Sequence, residues 1–326
     1  MSSPLLIALL ELAAGCIVLI WAADRLVAGA SSLSRRWGIS PLIIGIGVIG
    51  FGTSAPEMLV SVMSAMRGNP GLAVGNALGS NIANVGLILG LTAVIYPLSV
   101  ARSAFRRDLP LLFAVMVLTT ALMADLFLGR LEALVLLAAL AICMALVLMA
   151  MRRPGAEAIM PITEVIPKEA MSTRIALMWT VTGLVLLPIS AQIFVNGAID
   201  IASLMGVSDV VIGLTIVALG TSLPELAAAA ASAIRRQDDL TIGNILGSNL
   251  FNLLGVLGLA ALITPMAIEP ILLRRDIAAM FIITMALCVL AWRRTGDGYI
   301  NRLSGGLLLS GYLLYQGLVI GQSLGS

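Results

Sequence analysis

The chain has 326 residues, of which 60% are hydrophobic, 11% charged and 5% aromatic, with a mean hydropathy of +1.08. Soluble domains carry about 25% charged residues, so a single water-soluble fold is excluded, and the apolar content excludes disorder. The net charge of +2 points to no nucleic-acid partner. The apolar runs are continuous and about 20 residues long, which fits spanning helices and not the alternation of a barrel. There is no histidine. Cys16, Cys143 and Cys288 lie within apolar runs and read as buried thiols, not as a disulfide or zinc set.

In chain order, ten spans are predicted, at 4–28, 40–66, 71–96, 108–126, 131–151, 174–199, 209–234, 240–264, 276–293 and 303–323. The first has no basic segment before it, unlike a cleaved signal peptide. Alternate loops differ in basic content. One set holds Arg35, Arg36, Arg102, Arg106, Arg107, Arg152, Arg153, Lys168, Arg174, Arg235, Arg236, Arg293, Arg294 and Arg302. The other holds Arg67, Arg130, Arg274 and Arg275. Basic residues collect in cytoplasmic loops, so the first set is expected inside, with both termini outside and the linker 152–173 cytoplasmic.

The second and third spans recur in the seventh and eighth. Gly52-Thr53-Ser54-Ala55-Pro56-Glu57 returns as Gly220-Thr221-Ser222-Leu223-Pro224-Glu225, and Gly75-Asn76-Ala77-Leu78-Gly79-Ser80-Asn81 returns as Gly243-Asn244-Ile245-Leu246-Gly247-Ser248-Asn249. Arg106-Arg107-Asp108 returns as Arg274-Arg275-Asp276 at the same offset of 168. From Gly52 to Gly90, 18 of 39 positions match. Five spans per copy is odd, so the second copy enters the membrane inverted, as in many secondary transporters. The expected organisation is a first repeat over 1–151 with its motif at 41–90, the linker 152–173, and a second repeat over 174–326 with its motif at 209–258. The basic pair Arg106-Arg107 reads as an interfacial anchor.

Only Glu57 and Glu225 fall deep within spans, at equivalent positions of the two copies. A charge at that depth is costly and marks a functional site by default. Pro56 has no N–H, so a carbonyl near Gly52 loses its helical partner, and unwound backbone at depth belongs where it lines a cavity or is buried in protein. Thr53, Ser54, Thr221 and Ser222 add hydroxyls. Ser80 and Asn84, and likewise Ser248 and Asn252, lie four apart and share a helix face. Such an all-oxygen set suits Ca²⁺, which takes about 6–8 oxygen ligands, and lacks the soft ligands of zinc or copper. A second reading stands beside this one: Ser54-x-x-Glu57 and Ser222-x-x-Glu225 fit capping boxes. The glycine-rich segments 75–90 and 243–258 read as close helix packing, and Asn76, Asn81, Asn244 and Asn249 as interhelical hydrogen-bond partners.

On these residues the chain resembles the cation/Ca²⁺ exchanger superfamily, whose two repeats carry G-T-S-x-P-E and G-N-x-x-G-S-N motifs, and in particular the bacterial inner-membrane Ca²⁺/Na⁺ antiporters. The resemblance implies an all-α membrane protein of ten helices in two inverted five-helix repeats, exchanging Na⁺ for Ca²⁺ without a cofactor, enzymatic activity or obligatory protein partner. It implies that Glu57 and Glu225 ligate Ca²⁺ and share in Na⁺ binding. Thr53 and Thr221 would ligate through backbone carbonyls, and Ser54, Ser222, Ser80 and Ser248 through side-chain oxygens. Gly50 and Ala218 match further carbonyl positions. The spans 4–28 and 174–199 match two long helices that slide across the core and gate it. Some relatives, K⁺-dependent ones included, have Asp where this chain has Asn252. The H⁺-coupled branch has G-N-x-x-E in place of G-T-S-x-P-E. Ca²⁺/H⁺ exchange through the same glutamates and a cation channel are the alternative functions.

Overall fold

The structure, a computed structural model, describes residues 3–68, 70–151, 171–205, 218–294 and 296–325. Its framework is α-helical. Helix α1 (Ser3–Trp37) is followed by α2 (Pro41–Thr53) and α3 (Ala55–Met66), then α4 (Gly71–Ile95), α5 (Leu109–Leu122) and α6 (Arg130–Met151). The second half holds α7 (Thr173–Leu204), α8 (Leu223–Ile234), α9 (Asp238–Ile263), α10 (Ala278–Ala291) and α11 (Arg302–Gly325). Among the described residues, six helices are long and apolar enough to cross a membrane: α1, α4, α6, α7, α9 and α11. The pair α2–α3 forms a seventh, bent by 40° at Ser54.

The other predicted spans are shorter or compound. Helices α5 and α10 are each preceded by a π-helical turn, Ala104–Asp108 and Leu272–Ile277. With those turns they run over 104–122 and 272–291, enough at about 1.5 Å per residue to cross a hydrocarbon core of about 30 Å. The start of the seventh predicted span, 209–217, lies outside the described residues, as does most of the linker, 152–170.

Two predicted boundaries were too short. Helix α1 continues past residue 28 to Trp37, and α7 continues past 199 to Leu204. Polar residues such as Ser31, Ser32 and Ser34 end the apolar run but are buried, so they do not end the helix. Helix α1 stops after Arg35 and Arg36, which complement the negative end of its dipole, and Gly38 follows with φ +64, a left-handed conformation suited to glycine. Ser172 caps α7 by accepting the Ile175 N–H at 3.3 Å.

Helices α1 and α7 run antiparallel in close contact. Gly15 lies on the Phe194 backbone, Gly29 on Ala176 and Thr180, Gly183 on Ala22 and Leu26, and Gly197 on Ala8 and Leu12. Gly183 and Gly197 are the 168-residue repeats of Gly15 and Gly29, so the duplication built both halves of this contact. Small residues let backbones approach without the packing cost of a side chain. The outer faces carry exposed Leu6, Ile17, Ile20, Val181, Val185 and Ile189, which suit lipid. Of the three cysteines only Cys143 is buried; Cys16 and Cys288 are half-buried, and all three are free thiols. In a membrane protein an apolar run faces lipid as readily as core, so the expectation of burial fails for two of them.

The centre is formed by α9 and α4, whose apolar windows are 89% and 72% buried, against 22% for α1 and 17% for α6. Gly243 and Gly247 of α9 lie against the α2 backbone at Leu42, Gly45 and Ile46, so the two halves meet through glycines. The predicted small-residue packing therefore joins the two copies directly.

Two short antiparallel pairs record the inversion. Strand β1 (Leu98–Val100), after α4, pairs with β4 (Gly298–Ile300), after α10. Strand β2 (Phe127–Leu128), after α5, pairs with β3 (Met266–Ala267), after α9. Thus the α4–α5 connection of one copy meets the α10–α11 connection of the other, and the reciprocal pair meets as well. Successive connections lie on opposite membrane faces, so this exchange requires inverted copies.

Candidate functional site

The α2–α3 break positions the first half of the site. Thr53 ends α2, Ser54 takes φ −83 and ψ 0, and Pro56 occupies the first turn of α3. Lacking an N–H, Pro56 gives no hydrogen bond to the Gly52 carbonyl one turn back. In the second half the helix Ala218–Gly220 ends one residue before Thr221, Ser222 takes φ −91 and ψ 4, and α8 begins at Leu223 with Pro224 in its first turn. Glu57 and Glu225 each lie in the first turn after the break. There the helix N-terminus presents partial positive charge, which favours a carboxylate.

The capping reading fails. Neither Ser54 nor Ser222 makes a side-chain cap bond. The Ser54 hydroxyl instead donates across the molecule to Glu225 Oε1 at 3.4 Å. The residue that would start one half-helix is drawn to the carboxylate of the other half.

Helices α4 and α9 supply the remaining walls and hold the breaks in place. Asn76 Nδ2 of α4 donates to the Glu57 backbone carbonyl at 3.4 Å and to Ser61 Oγ at 3.1 Å. Its repeat mate, Asn244 Nδ2 of α9, donates to the Glu225 carbonyl at 3.3 Å. The freed Oδ1 of Asn244 accepts from Thr53 Oγ1 at 3.1 Å, and Ser248 Oγ lies 3.3 Å from the same hydroxyl. Asn84 Nδ2 donates to Asn249 Oδ1 at 3.0 Å, joining α4 to α9. Three of the four predicted asparagine partners thus bridge elements. The fourth, Asn81, bonds within its own helix, to the Ala77 carbonyl at 2.8 Å.

The predicted residues converge unequally. Glu57, Glu225, Thr53, Ser54, Ser222, Ser80, Ser248, Asn84 and Asn252 are all buried, with Glu225, Thr53, Ser54, Ser248 and Asn252 fully so. Thr221 is half-buried. Gly50 faces Gly247 and Ser248, and its carbonyl accepts the Ser54 N–H at 3.1 Å. Ala218 opens its short helix at the edge of the described residues.

Two features lay beyond the sequence reading. Asn84 opens a π-helical turn, Asn84–Leu89, and its mate Asn252 lies in another, Phe251–Val256. Such turns offset a side chain from its α-helical position and recur at functional sites. Nothing in residue type signals them: the two asparagines stand 168 residues apart in the sequence, and the turns that hold them are visible only in the structure. The other is Ser61, fully buried beside Asn76, which the repeat does not mark because its mate is Ala229.

The electrostatics are unbalanced. Ser54, three residues before Glu57, reaches Glu225 Oε1 at 3.4 Å, so the two glutamate turns meet at one place. Glu57 Oε1 and Oε2, Glu225 Oε2, Asn84 Oδ1 and Asn252 Oδ1 are buried and receive no hydrogen bond among the described residues. Buried polar atoms are ordinarily paired, and an unpaired buried carboxylate costs several kcal/mol. Carboxylate and amide oxygens left without donors suit a hard cation.

Comparison with known proteins agrees with this geometry. The family model described as sodium/calcium exchanger protein matches residues 7–149 and 175–321, one stretch in each half. The chain belongs to the sodium/calcium exchanger family. It is therefore of a membrane exchanger family and not of an enzyme family. Over 97% of its length it is 42% identical to CaxA of Alkalimonas amylolytica, covering 99% of that protein. It is 37% identical to the inner membrane protein YrbG of Escherichia coli, covering 95% of this chain and 98% of that one. Among solved structures, the sodium-calcium exchanger NCX_Mj soaked with Na⁺ and Sr²⁺ superposes with a TM-score of 0.81 and 29% identity, covering 95% and 97% of the two chains. The all-α fold of two inverted repeats predicted above is the fold of this family.

Proposed function

We propose that the protein is a secondary antiporter that exchanges Na⁺ for Ca²⁺ by alternating access, using Na⁺ entry to export Ca²⁺. The observation that carries this reading is the pair of buried, repeat-related carboxylates whose oxygens receive too few hydrogen bonds. Two carboxylates balance one divalent cation. They also serve several monovalent ions, provided neutral oxygens complete each shell.

Glu57 and Glu225 ligate Ca²⁺ between the halves, assisted by the carbonyls of Thr53 and Thr221. Ser54, Ser222, Ser80 and Ser248 supply hydroxyls, largely to Na⁺, with Asn84, Asn252 and the carbonyls of Gly50 and Ala218 nearby. Both loads require the same carboxylates, so full occupation by one displaces the other. That competition couples the fluxes. The glycine-lined pair α1–α7 moves against the core and exposes the loaded site to one face at a time. The setting is the cytoplasmic membrane, with the linker 152–173 inside, both termini outside, and the two repeats divided as 1–151 and 174–326. The names of relatives support the ions: an exchanger of Methanosarcina acetivorans named for sodium and calcium is 28% identical over 92% of this chain.

The test uses purified protein in liposomes with Na⁺, K⁺ and H⁺ gradients imposed separately. A Na⁺ gradient alone drives ⁴⁵Ca²⁺ flux. Flux driven equally by a pH gradient without Na⁺ would transfer the reading to Ca²⁺/H⁺ exchange. Uncoupled, non-saturating current in a planar bilayer would make the protein a channel.

A further inference from the structure

The connections after α4 and after α10 form a cavity of about 200 Å³ that is open to the surface and lined by none of the residues of the carboxylate site. Its walls include Arg102, Arg106, Arg293 and Arg294, together with Phe105 and Trp292. The β1–β4 pair staples the two connections together, and the Arg102 N–H donates to Asp297 Oδ1 at 3.0 Å. The arginines are thus carried on a braced frame. None of the four forms an ion pair among the described residues. Arg293 instead stacks 4.7 Å from the Tyr299 ring centre. Four exposed arginines without a carboxylate partner among the described residues line one cavity, and together they offer an anion several donors at a single place.

The repeat does not account for the cluster. Positions 124, 125 and 126, which correspond by the 168-residue offset to Trp292, Arg293 and Arg294, are Ala124, Asp125 and Leu126. Arg102 corresponds to Pro270. Only Arg106 has a basic mate, Arg274. Inverted symmetry therefore builds the frame on both faces, and the four-arginine lining belongs to one face alone.

We propose that this cavity binds the phosphate of an anionic phospholipid headgroup. Arginine pairs with phosphate in bidentate geometry, and basic pockets between membrane helices hold anionic headgroups. At roughly 30 Å³ per water, the cavity has room for a phosphodiester with a few waters. The aromatic wall favours a lipid over free phosphate. Trp292 is 65% exposed at the end of α10 and meets Phe105 edge-on at 5.8 Å between ring centres. Tryptophan at this level belongs to the membrane interface, where the glycerol and upper acyl carbons of a lipid lie against it. A free phosphate gains nothing from such a wall.

The test is native mass spectrometry of purified protein titrated with cardiolipin or phosphatidylglycerol, with phosphatidylcholine as the neutral reference and inorganic phosphate as competitor. Wild type retains one tightly held anionic lipid. Replacing Arg102, Arg106, Arg293 and Arg294 by Gln weakens retention by about fivefold for each arginine removed, the factor expected of one basic side chain near an anionic headgroup. The same four positions as Lys restore most of it. A control with Arg35, Arg67, Arg130 and Arg174, which are exposed and do not line the cavity, changed to Gln keeps the lipid. Size-exclusion and thermal-unfolding profiles matching wild type confirm that the variants are folded. Equal retention by wild type and the Gln variant, or equal loss in the control, would overturn the proposal. So would binding of inorganic phosphate that depends on the four arginines without matching lipid retention.

Discussion

Replacing Glu57 by Gln keeps the shape of the side chain and removes one of two buried negative charges. Glu57 is 1% exposed and neither carboxylate oxygen receives a hydrogen bond among the described residues, so little besides a cation relies on its charge. A bound Ca²⁺ would then face Glu225 alone, leaving one unit of positive charge uncompensated in a low-dielectric site. Removing one partner of a buried ion pair costs about 3–5 kcal/mol. At about 1.4 kcal/mol per factor of ten, Ca²⁺ binding weakens by about 10² to 10⁴-fold. Glu225→Gln should do the same, since its site is the repeat mate. Folding should survive, because an amide is easier to bury than a carboxylate. Equilibrium ⁴⁵Ca²⁺ binding to purified protein, with thermal unfolding of the apo state alongside, measures both. A Ca²⁺ affinity within threefold of wild type in a folded variant, a factor worth only about 0.6 kcal/mol, would refute the charge-balance argument.

Three further outcomes are expected. Asn76→Ala and Asn244→Ala each release a backbone carbonyl of the glutamate turns, and each lost hydrogen bond of about 1 kcal/mol should weaken Ca²⁺ binding about fivefold, read in the same binding assay. Gly197→Val puts a Cβ 2.6 Å from the Ala8 carbonyl and the Leu12 nitrogen, so α1 and α7 must separate; thermal unfolding should show a loss of about 1–3 kcal/mol or more, while Gly317→Ala, which meets nothing nearby, should show at most a few tenths. Asp24→Asn breaks the bridge from Asp24 to Arg235 that ties α1 to the end of α8. Both side chains are more than a third exposed, so the stability loss should stay below about 1 kcal/mol and shrink with added salt.

The sequence carried the site further than the helices around it. Glu57 and Glu225 stood out because a charge deep in an apolar span is costly, and the 168-residue offset paired them. Gly52 to Glu57 announced a break because proline removes a specific hydrogen bond. The end of α1 was misplaced for the opposite reason, since buried serines look like loop residues when only polarity is read, and the end of α7 because exposed Asp200 closes the apolar run without closing the helix. The capping box at Ser54 was a sound local reading overridden from outside the helix, since Glu225 of the other half takes the Ser54 hydroxyl, and Ser222 makes no cap bond either. The π turns at Asn84 and Asn252 could not be read from local chemistry. A π turn changes which backbone N–H meets which carbonyl, and side-chain polarity carries no trace of that.

The central claim is that two repeat-related carboxylates couple Na⁺ to Ca²⁺ at one shared site. Its most direct test is Na⁺-gradient-driven ⁴⁵Ca²⁺ flux in proteoliposomes, compared among wild type, Glu57→Gln and Glu225→Gln at matched protein content. The account predicts gradient-dependent flux in wild type and none above empty liposomes in either variant. Flux at wild-type rates in either folded variant would contradict it.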